Sequence, residues 1–569
     1  MKLKGAEILV QCLLEQGVNT VFGYPGGSVL DIYDALLDHP EIKHILTAHE
    51  QGAAHAADGF ARSTGRTGVC IATSGPGAAN LTTGIATAYM DSSPVVFITC
   101  NVSGRLMGRD AFQEVDITGI TLPITKCNYL VRDVDSLADS VREGFAIASS
   151  GRPGPVLIDI QKNVTSAEGE YEYLPRERHF AHGRLARLMK HAAGGVMTAP
   201  EPDSEDIAIL ASMIKKSKKP LIICGGGVVR GQASEPLREI AAKQHIPVAF
   251  TVMGAGGFPG RDPLCTGLIG MHGSQASNIA CGECDLLIAV GCRFTDRVAL
   301  NPETFAPNAK IVQIDIDASE IDKNVHTDHH IIGGANKVLA RLNAMLGGAS
   351  RKNWRDFVFS HSTETVYEES GGSGLSPAKI LTAAAEILPD DTVVTTDVGQ
   401  HQMWAVQHFK FSYPGQLITP GGFGTMGFGL GAAIGAKAGD PSKCVLHVTG
   451  DGSFRMNSNE LSTEQFYGLP VITLLFNNSA LGMVRQWQKL LYDGRYSQTD
   501  TERGPDFVKL AEAYGVESLR VNDIDSLRGA LKKAVSEGRG CVIECIIDPD
   551  ELVRPMVDRG NPLTNFIID

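Results

Sequence analysis

The sequence has no long apolar run. Its most apolar stretches, residues 94–98 (PVVFI) and 286–290 (LLIAV), are strand-length, far short of the roughly 20 residues that cross a bilayer. The N-terminus enters an amphipathic helix almost at once, from about Ala6, with no apolar signal core before it. The expectation is a cytoplasmic protein with no membrane partner. A basic excess is also missing. The net charge is −13, and a nucleic-acid partner would require clustered Lys and Arg. Aromatics are sparse, 6% of residues with three Trp, and no aromatic RNA-binding motif occurs. The twelve cysteines lack a pattern: Cys281-Gly282-Glu283-Cys284 is a lone C-x-x-C with no second pair, whereas structural zinc takes four ligands. These thiols read as reduced, mostly buried small apolar groups.

What remains is a folded chain: 569 residues, 43% hydrophobic and 20% charged, too long for one core and suited to three domains. Short apolar strands alternate with amphipathic helices, the pattern of parallel α/β sheets. Residues from about 165 to 203 read as strandless linker, with Ala192-Ala193-Gly194-Gly195 inside it, and Ser370-Gly371-Gly372-Ser373-Gly374 reads as a second. The expected fold is α/β, with three doubly wound parallel-sheet domains at 1–168, 203–346 and 376–569.

One stretch carries chemistry by its own residues. Residues 444–449 (CVLHVT) read as a buried strand running into a tight Gly450-Asp451-Gly452 turn and then a helix. The carboxyl end of a parallel strand is where α/β sheets take ligands. The glycines let backbone approach a phosphate, the helix start offers free N–H groups, and Asp451 offers a hard oxygen suited to Mg²⁺ bridging to a diphosphate. The next apolar run, residues 471–476 (VITLLF), ends in Asn477-Asn478. Adjacent parallel strands would set Asn478 beside Asp451 and add a neutral amide oxygen.

Gly-Asp-Gly followed by Asn-Asn resembles the motif of thiamine-diphosphate enzymes. By that resemblance Asp451, Asn478 and the carbonyl of Ala480 hold Mg²⁺, with Gly452 and Ser453 beside the diphosphate. The family also needs a carboxylate from another domain, at a helix start. Thr47-Ala48-His49-Glu50-Gln51-Gly52-Ala53-Ala54 is similar to that site, which makes Glu50 the candidate. A buried glutamic acid sharing its proton with the cofactor's aminopyrimidine ring would favour the tautomer that removes the thiazolium C2 proton.

Longer matches narrow the resemblance to acetolactate (acetohydroxyacid) synthase catalytic subunits. They include Gly23-Tyr24-Pro25-Gly26-Gly27, Asp110-Ala111-Phe112-Gln113-Glu114, Gly270-Met271-His272-Gly273, residues 291–298 (GCRFTDRV), Gly399-Gln400-His401 and residues 482–488 (GMVRQWQ). The resemblance implies that Gln400 and His401 touch the diphosphate. Met426 bends the cofactor, and the Gly424 carbonyl accepts from its amino group. Arg297 binds the acceptor's carboxylate through a fixed, always charged fork, and Trp487 with Met271 walls its alkyl group. Phe112, Gln113 and Lys162 line the channel from a neighbouring subunit. A central FAD site would involve Arg152, Gly225, Gly226, Met271, His272, Gly273, Arg293, Asp315, Ile316 and Asp317. The chain departs from the family pattern at Gly334 and Thr295, where Asp is usual, at Gln161 and Gly431, where Pro is usual, and at Cys100-Asn101.

The implied activity is acetolactate synthesis: decarboxylation of pyruvate and transfer of the hydroxyethyl/acetyl unit to pyruvate or 2-oxobutyrate, in valine, leucine and isoleucine synthesis. The implied cofactors are thiamine diphosphate, Mg²⁺ and FAD, in a homodimer or dimer of dimers with room for a small regulatory subunit. The competing readings are a pyruvate oxidase, another thiamine-diphosphate decarboxylase or carboligase on the same fold, and a catalytically silent homologue. The last would be expected to have lost Glu50, Asp451 or Asn478, and all three are present.

Overall fold

The computed structural model describes residues 1–175, 199–362, 375–502 and 504–567. The expected linker at 370–374, and 192–195 in the other, lie outside the described residues.

Among the described residues three six-stranded parallel sheets organise the chain. In the first the order is Lys43–Leu46, Thr20–Tyr24, Gly68–Ala72, Val95–Asn101, Val156–Gln161, Cys127–Val131. In the central sheet it is Cys265–Leu268, Val248–Phe250, Pro220–Cys224, Leu286–Val290, Lys310–Asp315, His329–Ile332. In the third it is Leu417–Ile418, Val393–Thr396, Val445–Gly450, Ile472–Asn477, Cys541–Ile546, Glu517–Val521. Counted along the chain, the first and third sheets share the order 2-1-3-4-6-5, and the central sheet runs 3-2-1-4-5-6. The central strands, such as Val95–Asn101 and Leu286–Val290, are buried along their whole length, as strands covered on both faces must be.

Two readings of the sequence need correction. A strand, Lys2–Lys4, precedes the first helix, which starts at Gly5. It pairs antiparallel with Glu168–Glu170, in the stretch read as strandless. The first unit therefore extends past residue 168, because the chain returns to its own N-terminus before leaving the sheet. Period-2 alternation is invisible in three-residue strands, so the signal was absent rather than misread.

The first and third units meet through two helices, Glu50–Thr64 and Gly429–Gly439. Both are rich in Gly and Ala, and backbone lies against backbone. A Cβ on Gly59 would stand 2.1 Å from the Ala432 carbonyl oxygen, and one on Gly435 would stand 1.9 Å from that of Ala56. Gly431 is under the same constraint: a Cβ there would be 2.9 Å from that of His55. The seam continues into a shared apolar cluster with Phe22, Phe60, Leu430, Ile434 and Phe454. Another cluster runs without a break from the central to the third unit.

Candidate active site

The strands Val445–Gly450 and Ile472–Asn477 are neighbours, with Gly450 paired to Phe476, so Asp451 and Asn478 leave the third sheet at the same end. Asp451 is the first residue of the helix Asp451–Asn457 rather than part of a turn before it. The Leu481 side chain lies over Gly452, where a Cβ would come within 2.6 Å of it. Asp451 is buried and accepts from the Thr501 hydroxyl; burial pushes its carboxyl above the usual range. Asn478 donates to Gln400 Oε1 at 3.3 Å and accepts from the Ala480 N–H at 3.2 Å. Ser453 donates to the Val398 carbonyl at 3.2 Å.

The neighbouring strand Val393–Thr396 delivers Gly399, Gln400 and His401 to the same end, across the point where the strand order reverses. Ligands settle at such crevices. The His401 ring is buried, burial lowers its pKa to about 4, and its Nε2 has no partner among the described residues. A neutral ring with a spare polar atom lies against Gly399 and Gly450, where Cβ atoms would come within 2.6 and 2.9 Å of it. Met426 reaches the same place, its Cε 3.8 Å from a Cβ on Gly452. Gly424 is exposed at φ +79° with open space around it.

A second patch belongs to the first unit. Glu50 begins the helix Glu50–Thr64, is buried, and accepts from Asn80 Nδ2 at 2.9 Å. The turn at Gly75 and Gly77 lies against it: a Cβ on Gly77 would be 3.1 Å from Glu50 Oε1, and one on Gly75 would be 2.9 Å from Gln113. Phe112 is 88% exposed beside it. Lys162 is exposed and donates to the Gly27 carbonyl at 2.9 Å. Among the described residues no hydrogen bond or ion pair joins this patch to Asp451, Asn478 or Gln400.

The third element is a cavity of about 1000 Å³ between the central and third units, also bordered by Met90, Ser92 and Arg152 of the first. The order 3-2-1-4-5-6 is that of dinucleotide-binding sheets, and the cavity opens where it reverses, at Gly226, Gly227 and Gly291. There the backbones touch: a Cβ on Gly225 would stand 2.1 Å from the Gly291 carbonyl. Arg293, Asp315 and Ile316 line the same part, whereas Gly225, Gly273 and Asp317 stand one residue behind the lining. Burial pushes the Asp315 carboxyl up to about 6. Arg152 bonds Glu320 at 2.8 Å and Asp317 at 3.2 Å. Gly334 borders the cavity without a side chain.

Met271, His272, Arg297, Trp487 and Gly424 also line the cavity. The Arg297 guanidinium lies 5.6 Å from the Trp487 ring centroid. The Met271 N–H donates to the Arg297 carbonyl at 3.0 Å, so wall and cation are set by one backbone bond. Among the described residues the buried Trp487 Nε1 and His272 Nδ1 have no partner.

The sequence matches three domain families: the N-terminal TPP binding domain (3–120), the central domain (207–342) and the C-terminal TPP binding domain (397–545) of thiamine pyrophosphate enzymes. It is 44% identical to the probable acetolactate synthase large subunit of Methanocaldococcus jannaschii, over 99% of this chain and 95% of that one. It is 42% identical to the acetolactate synthase isozyme 2 large subunit of Escherichia coli, over 98% of both. The Haemophilus influenzae acetolactate synthase large subunit is 40% identical, over 100% of this chain and 98% of its own. The chain belongs to the acetolactate synthase large-subunit family.

Within that family frame, the structure adds residues that sequence reading passed over. Asp397 is buried beneath the Gly399–His401 turn, accepting from His447 at 3.0 Å, Thr449 at 2.6 Å and the Gly429 N–H at 2.8 Å. Burial opposes its charge, but His447 and these donors hold its carboxyl down at about 2. Thr87 of the first unit shares a 2.7 Å hydrogen bond with Thr425, between Gly424 and Met426. Arg230 borders the cavity with its guanidinium on the carbonyls of Asp91, Ser92 and Gly226. Only the run Thr396-Asp397-Val398-Gly399, a polar residue closing a strand before a glycine, hinted at any of these. Among the described residues no helix is long and apolar enough to cross a membrane, and no group of three or more His, Cys, Asp or Glu could hold a metal ion.

Proposed function

We propose that the chain is an acetolactate synthase, decarboxylating pyruvate and joining the two-carbon unit to a second 2-oxo acid, pyruvate or 2-oxobutyrate, in branched-chain amino-acid synthesis. The observation that carries this reading is the single cavity whose lining includes both Gly424 and the Arg297–Trp487 pair. It supplies a cation for a carboxylate and an aromatic wall for a short alkyl group, as an acceptor 2-oxo acid requires and a simple decarboxylase does not.

The residues present fit thiamine diphosphate with Mg²⁺. Asp451, the Asn478 amide oxygen and the Ala480 carbonyl would hold the metal, a set with one carboxylate that leaves charge for a diphosphate to balance. Gln400, His401, Gly452 and Ser453 would take the diphosphate; the unpartnered His401 Nε2 suits it. When bound, thiamine diphosphate supplies the acidic carbon and electron sink for decarboxylation and carbon–carbon bond formation. Met426 and the Gly424 carbonyl set its shape, and Glu50 holds the proton its ring needs. Arg297 orients the acceptor, while Trp487 and Met271 exclude water from the alkyl side.

FAD fits the glycine-lined half of the cavity as a bound dinucleotide, with Arg152, Gly225, Gly226, Met271, His272, Gly273, Arg293, Asp315, Ile316 and Asp317 around it. The three units correspond to 1–168, 203–346 and 376–569, the first lengthened by its return strand. The assembly is a homodimer in the cytoplasm. Glu50, with Phe112, Gln113 and Lys162, faces the partner's Gly424–Arg297 cavity, which accounts for the 88% exposure of Phe112. The designation large subunit in its relatives supports a small regulatory partner.

Product analysis tests the reading. Purified protein given pyruvate, Mg²⁺ and thiamine diphosphate should form 2-acetolactate, and with 2-oxobutyrate added should form 2-aceto-2-hydroxybutyrate. Acetate with peroxide, or free acetaldehyde, in place of these products would refute it. A flavin absorbance spectrum of the purified protein tests FAD separately.

A further inference from the structure

Glu460 belongs to the third unit, just beyond the helix that begins at Asp451, and its side chain is fully buried. Its carboxylate reaches the first unit of the same chain. Oε2 accepts from the Ala48 N–H at 3.1 Å and from the Thr463 hydroxyl at 2.7 Å, and Oε1 accepts from the His49 N–H at 3.1 Å. Ala48 and His49 are the two residues immediately before Glu50. A helix start leaves backbone N–H groups without intrahelical partners. In the usual capping box a Glu three residues into the helix reaches back to the capping residue's N–H. Here His49 is the capping residue and that third position is Gly52. A Cβ on Gly52 would stand 1.9 Å from Glu460 Oε1. The local side chain is missing because the carboxylate from the other unit fills its space and does its work.

We propose that Glu460 is a positioning residue for Glu50, fixing from the third unit the backbone on which the proton-carrying carboxylate stands. The inference rests on the assignment of Glu50 made above. A purely adhesive role would duplicate the Gly59–Ala432 and Gly435–Ala56 seam, which already joins the two helices along their length. The Glu460 contacts instead sit at the one turn that presents Glu50. They also place the chain's metal-binding segment one short helix from its own Glu50.

The test uses the full-length protein with Mg²⁺ and thiamine diphosphate, comparing Glu460→Ala, Glu460→Gln, Glu460→Asp and Glu50→Gln. Three quantities are read: cofactor affinity by fluorescence titration, the unfolding midpoint, and hydrogen–deuterium exchange at C2 of bound thiamine diphosphate by acid quench and NMR. Displacing a reacting group by about 1 Å costs on the order of 100-fold. Glu460→Ala should therefore slow exchange by about 10- to 100-fold while affinity changes by less than about threefold. Glu460→Gln, which keeps one acceptor oxygen, should fall between Ala and wild type. Unchanged exchange in Glu460→Ala, or a loss that merely tracks affinity or unfolding, would overturn the proposal. If the Ala variant does not fold, the Gln and Asp variants carry the same comparison. Unaltered exchange in Glu50→Gln would instead sink the Glu50 assignment, and this inference with it.

Discussion

In the first sheet the strands Thr20–Tyr24 and Gly68–Ala72 flank the point where the order reverses; in the third, Val393–Thr396 and Val445–Gly450 do the same. The two sheets share one strand order, and each sends a Gly- and Ala-rich helix into the seam between them. Their chemistry differs. The third sheet's reversal gathers Gln400, His401, Asp451 and Asn478, polar groups suited to a metal and a diphosphate. The first sheet's outstanding group is Glu50, which follows the edge strand Lys43–Leu46 and is partnered by Asn80. Like topology thus supplies two equivalent crevices, and the residues at the strand ends decide what each does. On the function proposed above, one would hold the cofactor's charged tail and the other would manage a proton.

Breaking the seam should have the largest effect. Gly59→Val drives a side chain into the Ala432 carbonyl and should cost at least about 4 kcal/mol, the range of severe core defects, seen as loss of soluble, cooperatively unfolding protein. Gly529→Ala, a helix position with nothing within 4 Å of the added carbon, should instead raise the unfolding midpoint slightly and serve as the control.

Next come the two crevices. Glu50→Gln should lower kcat by about 10²- to 10⁴-fold, the span of general acid–base effects, with cofactor affinity nearly intact. Asp451→Ala should do the opposite, abolishing saturable Mg²⁺–thiamine diphosphate binding in a fluorescence titration. Equal loss of affinity in both variants would erase the division of labour. Arg297→Ala, outside both, should raise the acceptor KM by about 10- to 100-fold, as expected for a charge-assisted contact of about 1.5–3 kcal/mol, with a smaller change for the first pyruvate.

The smallest effect concerns pH. His55 is fully buried in the seam, against Phe428 at 5.1 Å, and burial lowers its pKa to about 4. The unfolded chain binds a proton near pH 6.5 that the folded chain refuses. Stability present above pH 6.5 is therefore lost as pH falls from 6.5 toward 4. His55→Asn should flatten that slope in unfolding midpoints measured across the window; an unchanged slope would place the acid sensitivity elsewhere.

Much of this was legible in the chain. The run from Gly450 to Asn478 announced itself because strand, glycine, acid and amide are all local signals. The alternation of strands and helices was equally plain, because short apolar runs bounded by turn residues alternate with amphipathic stretches. Lys2–Lys4 and Glu168–Glu170 were not readable, because each is too short to show a period and pairs with a partner at the other end of the unit. Asp397 and Glu460 were missed for a related reason: a buried acid looks like any other acid until its donors are known.

The sequence by itself determined the three parallel sheets, the residue types at the Gly450–Asn478 end of the third sheet, and the family to which the chain belongs, because short-range patterns and local chemistry carry all three. Only the tertiary structure decided that the first and third sheets share a strand order, that Gly59 and Gly435 are needed for backbone contact, and that the helix start before Glu50 is capped by an acid more than four hundred residues away. Those features depend on which surfaces meet. Contact between distant segments is set by packing of the whole chain and leaves no mark in any short window of it.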